Sequence, residues 1–325
     1  MQANASCTVQ YGDTMVLATA VINKEEKEGM PYFPLMVEYQ EKMYAAGRIK
    51  GSRFIKRDGR PTDEAVLISR LIDRGIRPLF DDAIRRDIQV VVTALSFDGV
   101  NAPDVPAIIA ASIVLHISDI PWAGPLAGIR VGQVDGKFIA NPTYEEREKS
   151  VIDLTLSNSM DKVAMVESDA NEADEKTVFE AFKFGLEQTK PIIEFIEKIQ
   201  KEVGKEKVVI DTSRKLDGEE GDENQKVSLE ELKKLEAECK EKALEQLDKY
   251  LFNIPKGSKG ERKATLSKVK NDLEDFLKEK QVGKDRRKKI LGFWEEFIDE
   301  QITTAILERD QRVDGRKLTD IRSLS

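Results

Sequence analysis

The segments SCTVQY (6–11) and TMVLATAV (14–21) alternate apolar with polar positions on either side of Gly12 and Asp13, which predicts two strands joined by a tight turn. The chain therefore starts inside a sheet. A first strand with no neighbour would leave an open edge, so either another chain or additional N-terminal residues are expected to cover it. IQVVVTALSF (88–97) reads as a buried strand, and PAIIAASIVLHIS (106–118) as a helix whose small residues Ala107, Ala110, Ala111 and Ser112 allow close packing. Two more hairpins are expected, one turning at Asp135 and Gly136 and one around NSMD (158–161). Between them, Thr143 to Glu146 has the spacing of a capping box and should open a short helix. Residues 173–203 read as helix interrupted at Pro191, which lacks an amide donor and restricts Lys190 before it. Strands followed by flanking helices make residues 1–210 an α/β (α+β) domain.

The pattern changes at DTSRKLDGEEGDENQK (211–226), which is almost without apolar residues and reads as a linker. Residues 227–308 follow as a small all-α domain. Val227 and the capping-box spacing from Ser228 to Glu231 open its first helix to about Tyr250, and amphipathic segments at about 261–280 and 284–308 complete it. Residues 309–325 return to turn-and-strand chemistry, as at the start of a further domain.

Composition narrows the function. Two cysteines far apart, Cys7 and Cys239, and a single histidine give neither a disulfide framework nor a Cys/His zinc site within one chain, which fits a reducing cytoplasm. No apolar run approaches the ~20 residues of a membrane span, and MQANASCTVQ lacks the basic start and apolar block of a secretory leader. The net charge of −8 argues against indiscriminate polyanion binding. Residues 48–77 depart from that balance, with nine basic side chains against four acidic ones.

Within that stretch Thr62 is placed to cap a helix over 62–76, with Asp63 and Glu64 in its first turn and Val66, Leu67, Leu71 and Ile72 as its apolar face. Arg70, Arg74 and Arg77 fall on one stripe at i, i+4 and i+7, where like charges repel unless something offsets them. Phosphate groups would do so through paired guanidinium hydrogen bonds. Ion pairs with Asp73, Asp81 and Asp82 are the alternative, and Asp73 and Arg77 are correctly spaced for one. The preceding loop, GSRFIKRDGRP (51–61), sets Phe54 and Ile55 among Arg53, Lys56, Arg57 and Arg60. An aromatic among cations on a loop can stack a base while the cations follow the phosphates, or Phe54 can anchor the loop on the core.

Other chemistry is weaker. GSKGERKAT (257–265) lacks the ending of a phosphate-binding P-loop. His116, on an apolar helix, reads as structural. Asp81, Asp82 and Asp87 could bind magnesium through oxygen but are expected to pair with Arg85 and Arg86. KDRRKK (284–289) reads as a solvated basic face, with a second nucleic-acid surface as the alternative.

YQEKMYAAGRIKGSRFIKRDGRPTDEAVLISRLIDRGIRPLF (39–80) and PDVPAIIAASIVLHISDIPWAGPLAGIRVGQVDGKFIANPTYEE (103–146) resemble the first ribonuclease-PH-like domain of the polynucleotide phosphorylase family. Residues 227–308 take the place of its all-helical domain, and RVDGR (312–316) resembles the opening of its second ribonuclease-PH-like domain. The resemblance implies 3′-to-5′ phosphorolysis of single-stranded RNA in the cytoplasm during mRNA degradation. Inorganic phosphate is the co-substrate, magnesium assists, nucleoside diphosphates leave, and a homotrimeric ring surrounds the RNA. It further implies that Phe54, Lys56, Arg57 and Arg60 contact RNA, while Arg70, Arg74 and Arg77 bind phosphate or brace the loop. Ile55 stands where the family usually has a second aromatic, Arg53 lengthens the loop, and Gly75 replaces a common proline. The family's catalytic and metal-binding residues belong to the second ribonuclease-PH-like domain, so no catalytic or metal residue is assigned here. A non-catalytic ring subunit or RNA-binding scaffold of an exosome-like assembly is the alternative.

Overall fold

The computed structural model describes residues 2–26, 30, 32–49, 51, 59–210, 229–247 and 259–321. Contacts divide the chain into two compact units, residues 1–213 and 214–325.

The first unit is built on two sheets. Strands β1 (Ala5–Tyr11) and β2 (Thr14–Ile22) form the expected hairpin, whose turn uses the positive φ of Gly12. Strand β3 (Leu35–Gln40) went unseen in the sequence pattern. It leads through α1 (Asp63–Ile76) to β4 (Ile88–Ser96), which it pairs in parallel, giving the order β1-β2-β4-β3. Parallel neighbours need a long crossover, and α1 supplies it. As an edge strand β3 is buried on one side only, with Tyr39 enclosed and Met36 exposed, so its hydrophobic signal is weak.

Helix α2 (Asp104–Ile117) connects the sheets. Every residue of it except Ile109 and His116 is buried, as befits a helix apolar around its whole circumference. It packs on β1 and β2, and also on β5 (Ala127–Val134) of the second sheet. That sheet adds β6 (Lys137–Ala140), then, after α3 (Tyr144–Lys149), β7 (Ile152–Asn158) and β8 (Val163–Ala170), all antiparallel in the order β6-β5-β7-β8. The capping box at Thr143 and Glu146 forms as its spacing predicts.

Helix α4 (Glu175–Val203) corrects one expectation, because it runs unbroken through Pro191. Its buried residues Ala181, Gly185, Thr189, Ile193 and Ile196 hold one face on the second sheet and α2, while Pro191 and Glu187 lie on the exposed side. The carbonyl deprived of a donor thus faces water, where it is satisfied without ending the helix.

Helix α1 corrects a second. It begins at Thr62, whose hydroxyl accepts from the Ala65 amide at 3.0 Å, but it buries Ala65, Ile68, Leu71, Ile72, Gly75 and Ile76. Val66 and Leu67, expected on its apolar face, are 43% and 65% exposed. The buried stripe follows i, i+3 and i+4 from Ala65, which turns positions 66 and 67 outward.

In the second unit the described residues form α5 (Leu229–Leu247), α6 (Lys259–Glu279), α7 (Lys284–Ile290) and α8 (Trp294–Arg309), with no strand among them. Residues 284–308 are not one helix, because a 3-10 turn at Leu291–Phe293 divides it and drives Leu291 and Phe293 into the core beside Leu273 and Leu277. The expected cap at Ser228 lies outside the described residues.

Candidate nucleic-acid interface

Helix α1 separates the three arginines that the sequence places on one stripe. Arg77 is held internally: its guanidinium donates to both carboxylate oxygens of Asp73, at 2.6 and 3.0 Å, and to the Leu35 carbonyl at 3.1 Å. It also lies 5.8 Å from the centroid of the Phe33 ring, a cation–π arrangement. Arg74 reaches β8, where it donates to the Glu167 carboxylate and the Val166 carbonyl. Arg70 is exposed and has no ion pair or hydrogen bond among the described residues. The ion-pair alternative therefore holds for Arg77, with Asp73 as its partner, and the anion-binding reading stays open for Arg70. Glu167 was not foreseen as a partner, since the two residues lie on different sheet systems far apart in sequence.

Phe54, Lys56 and Arg57 fall within 52–58 and lie outside the described residues. Arg60 follows directly, exposed and without a partner among the described residues. It lines a cavity of about 540 Å³ framed by the end of β3, the start of α1, the end of β4 and α3. Phe97 and Tyr144 meet there edge to face, with centroids 6.1 Å apart. Arg48 and Arg60 line the same cavity, as do the carboxylates of Glu38, Glu41 and Glu64. Tyr39 stands in its wall, 1% exposed, with a hydroxyl that has no hydrogen-bond partner among the described residues. Such an unmet buried group costs about 1–3 kcal/mol. Burial first, then the charges of Glu41, Asp104 and Glu64, push the Tyr39 phenol well above its ordinary pKa, so it stays a neutral donor. Tyr144 is raised by burial and by Asp104 and Glu64 in the same way. No short sequence motif announces this cavity, because its walls come from four separated segments.

A second charged group lies inside the domain. Arg130 of β5, 12% exposed, is gripped by Asp104 at the start of α2 and Asp153 of β7, and Arg147 of α3 completes the chain by donating to Asp153 at 3.1 Å. Burial works against the Arg130 charge, and the two carboxylates overcome it, raising its pKa. These charges tie the starts of α2 and α3 to β5 and β7 of the second sheet.

His116, expected to be a satisfied structural histidine, stands edge-on to Trp122 with its Nδ1 buried and without a hydrogen-bond partner among the described residues, and burial together with the charge of Lys207 lowers its pKa. Arg85 donates to the carbonyls of Asp82 and Ile84, and Arg86 faces Glu26 at 4.0 Å, so neither is placed by the aspartates alone. On the basic face of α7, Arg287 pairs with Glu274 at 3.7 Å. Among the described residues no three His, Cys, Asp or Glu side chains converge in a way that could hold a metal ion.

The model of the 3′ exoribonuclease family, domain 1, matches residues 1–121, and that of its domain 2 matches residues 124–188. The chain belongs to the 3′ exoribonuclease family. Its two modules coincide with the two sheets, α2 closing the first and β5 opening the second. The chain is 41% identical over 323 residues to the polyribonucleotide nucleotidyltransferase of Alkaliphilus oremlandii, covering 99% of this chain and 43% of that protein. It is 39% identical over 326 residues to that of Oceanobacillus iheyensis, covering all of this chain and 43% of that one. It thus spans less than half the length of these relatives. Among solved structures, rice (Oryza sativa) Rrp46 superposes with a TM-score of 0.50 at 17% identity, over 61% of this chain and 89% of that one, which shows the ribonuclease-PH fold alone. No helix among the described residues is long and apolar enough to cross a membrane.

Proposed function

We propose that this chain is the RNA-gripping part of a polyribonucleotide nucleotidyltransferase. The observation that carries the reading is the match to enzymes of that name along 99% of the chain. In the reaction, inorganic phosphate attacks the terminal phosphodiester of single-stranded RNA. The bond to the penultimate 3′ oxygen breaks, and a nucleoside diphosphate leaves with an RNA one residue shorter. The role of these residues is to hold the strand. Arg60 and Arg70, exposed and unpaired among the described residues, neutralise phosphates, and Lys56 and Arg57 extend that path with Phe54 stacking a base. Arg74 and Arg77 brace α1 beside it. The corresponding reading of the longer protein is a magnesium-assisted, homotrimeric enzyme of cytoplasmic mRNA degradation, with catalysis performed by residues beyond those in this chain.

The test is nucleoside diphosphate release from uniformly labelled single-stranded RNA, with and without inorganic phosphate. A protein extended to the full length of the relatives should release it only with phosphate, and Arg60→Ala with Arg70→Ala should raise KM for RNA while leaving kcat within about twofold. The 325-residue chain alone should bind RNA and release nothing. Phosphate-independent release, or unchanged KM in the double variant, would contradict the assignment.

A further inference from the structure

The cavity at the end of β3 has a polarity that RNA tracking along its rim does not require. Among its lining residues Arg48 and Arg60 are exposed, their side chains without a partner among the described residues. The edge-to-face pair of Phe97 and Tyr144 gives an aromatic surface; Phe97 is 37% exposed, and the Arg147 guanidinium lies 5.4 Å from the Tyr144 ring centroid. The Tyr144 hydroxyl and the Glu64 carboxylate make no hydrogen bond among the described residues, and the Tyr39 hydroxyl is buried without one. At about 540 Å³ the space is of the size that holds small ligands.

A simple anion does not fit this arrangement. Glu38, Glu41 and Glu64 share the walls, so a phosphate or polycarboxylate entering past the arginines would meet like charge. The groups call for a bipolar ligand: an anionic end for the guanidinium groups, a flat π-face for the aromatic pair, and a polar edge that donates to a carboxylate while accepting from a phenol. An exocyclic amino group beside a ring nitrogen, as on adenine or cytosine, offers that donor and acceptor together. Uracil presents carbonyl oxygens where the amino group would be, and these would face the Glu64 carboxylate.

We propose that this cavity is a single-nucleotide site that seats an amino-bearing base against Phe97 and Tyr144, beside Glu64, with its phosphate on Arg48 and Arg60. The inference rests on the RNA-binding reading above and deepens it. A nucleotide splayed from a bound strand, or a free mononucleotide, would enter in the same orientation.

The test is isothermal titration of the 325-residue chain with AMP, UMP and inorganic phosphate, alongside anisotropy with a single-stranded RNA oligomer. AMP should bind about tenfold more tightly than UMP, the discrimination expected of one paired donor and acceptor. Glu64→Gln should reduce that preference to about twofold or less, and Tyr144→Phe should weaken AMP several-fold, with circular dichroism of both variants unchanged. Phosphate bound as tightly as AMP would reduce the site to its arginines and overturn the base contact. No AMP binding by a chain that still binds the oligomer would overturn the site and leave the RNA-binding reading standing. Loss of both would overturn both.

Discussion

Gly75 of α1 lies directly against Ser157 of β7: a Cβ on Gly75 would stand 2.8 Å from the Ser157 hydroxyl and 3.5 Å from its Cβ. Here the helix of the first sheet touches the second sheet, and the Ser157 hydroxyl is buried there without a hydrogen bond. Two small residues thus set the distance between the layers.

A sign reversal follows. Gly75→Ala alone should destabilise by about 1 kcal/mol, because overpacking of about 1–3 kcal/mol exceeds the roughly 1 kcal/mol gained from helix propensity. In a Ser157→Ala background the 2.8 Å clash is gone and the same change should stabilise by about 1 kcal/mol. Urea midpoints of the four variants check both signs.

The arginines of α1 should separate by assay. Arg77→Ala removes a two-pronged bond to Asp73, a bond to the Leu35 carbonyl and a cation–π contact, and should cost about 1–2 kcal/mol, the pair being part-exposed and screened. Arg70→Ala should leave stability within about 0.5 kcal/mol and weaken RNA binding. If Arg70→Ala shifts the melting transition as far as Arg77→Ala does, Arg70 has a structural partner and leaves the proposed RNA path.

Sequence pattern exposed those arginines but not their partners, and the reason is range. Turn and cap chemistry is local, so the hairpin at Gly12, the capping box at Thr143 and the start of α1 at Thr62 were legible within a few residues. The partner of Arg74 is 93 residues away on another sheet, and β3 is defined by a parallel neighbour half a hundred residues on, neither of which leaves a local trace. Val66 and Leu67 misled because composition does not give the phase of a helix. The cavity escaped for a related reason: Tyr39, Phe97 and Tyr144 meet only after folding.

The two thiols give a pH prediction. Burial pushes Cys7 up to about 12 and Cys239 up to about 11, from an ordinary value of 9.0. The folded state therefore holds these protons more tightly than the unfolded chain does. Stability is fully present below about pH 9 and falls as pH rises from there through 11 and 12, since only the unfolded thiols ionise in that window. At pH 8 neither thiol should react with a disulfide reagent until denaturant is added, after which two equivalents should react. Rapid labelling of the native chain would show that one thiol is open.

The loop prediction is independent of α1. Replacing Phe54, Lys56 and Arg57 together by alanine should weaken single-stranded RNA binding and make it less salt-sensitive, because two phosphate contacts are removed with the stacking residue. An unchanged salt titration would remove the loop from the interface.

The most direct test of the account is the salt dependence of single-stranded RNA binding by the wild-type chain, read by fluorescence anisotropy between low and physiological salt. Four cations, Lys56, Arg57, Arg60 and Arg70, at about 0.7 per phosphate contact, give an expected slope of about −3 for log K against log salt. A slope near that value places the strand on these residues. Absent binding, or binding indifferent to salt, would contradict the claim that they hold RNA.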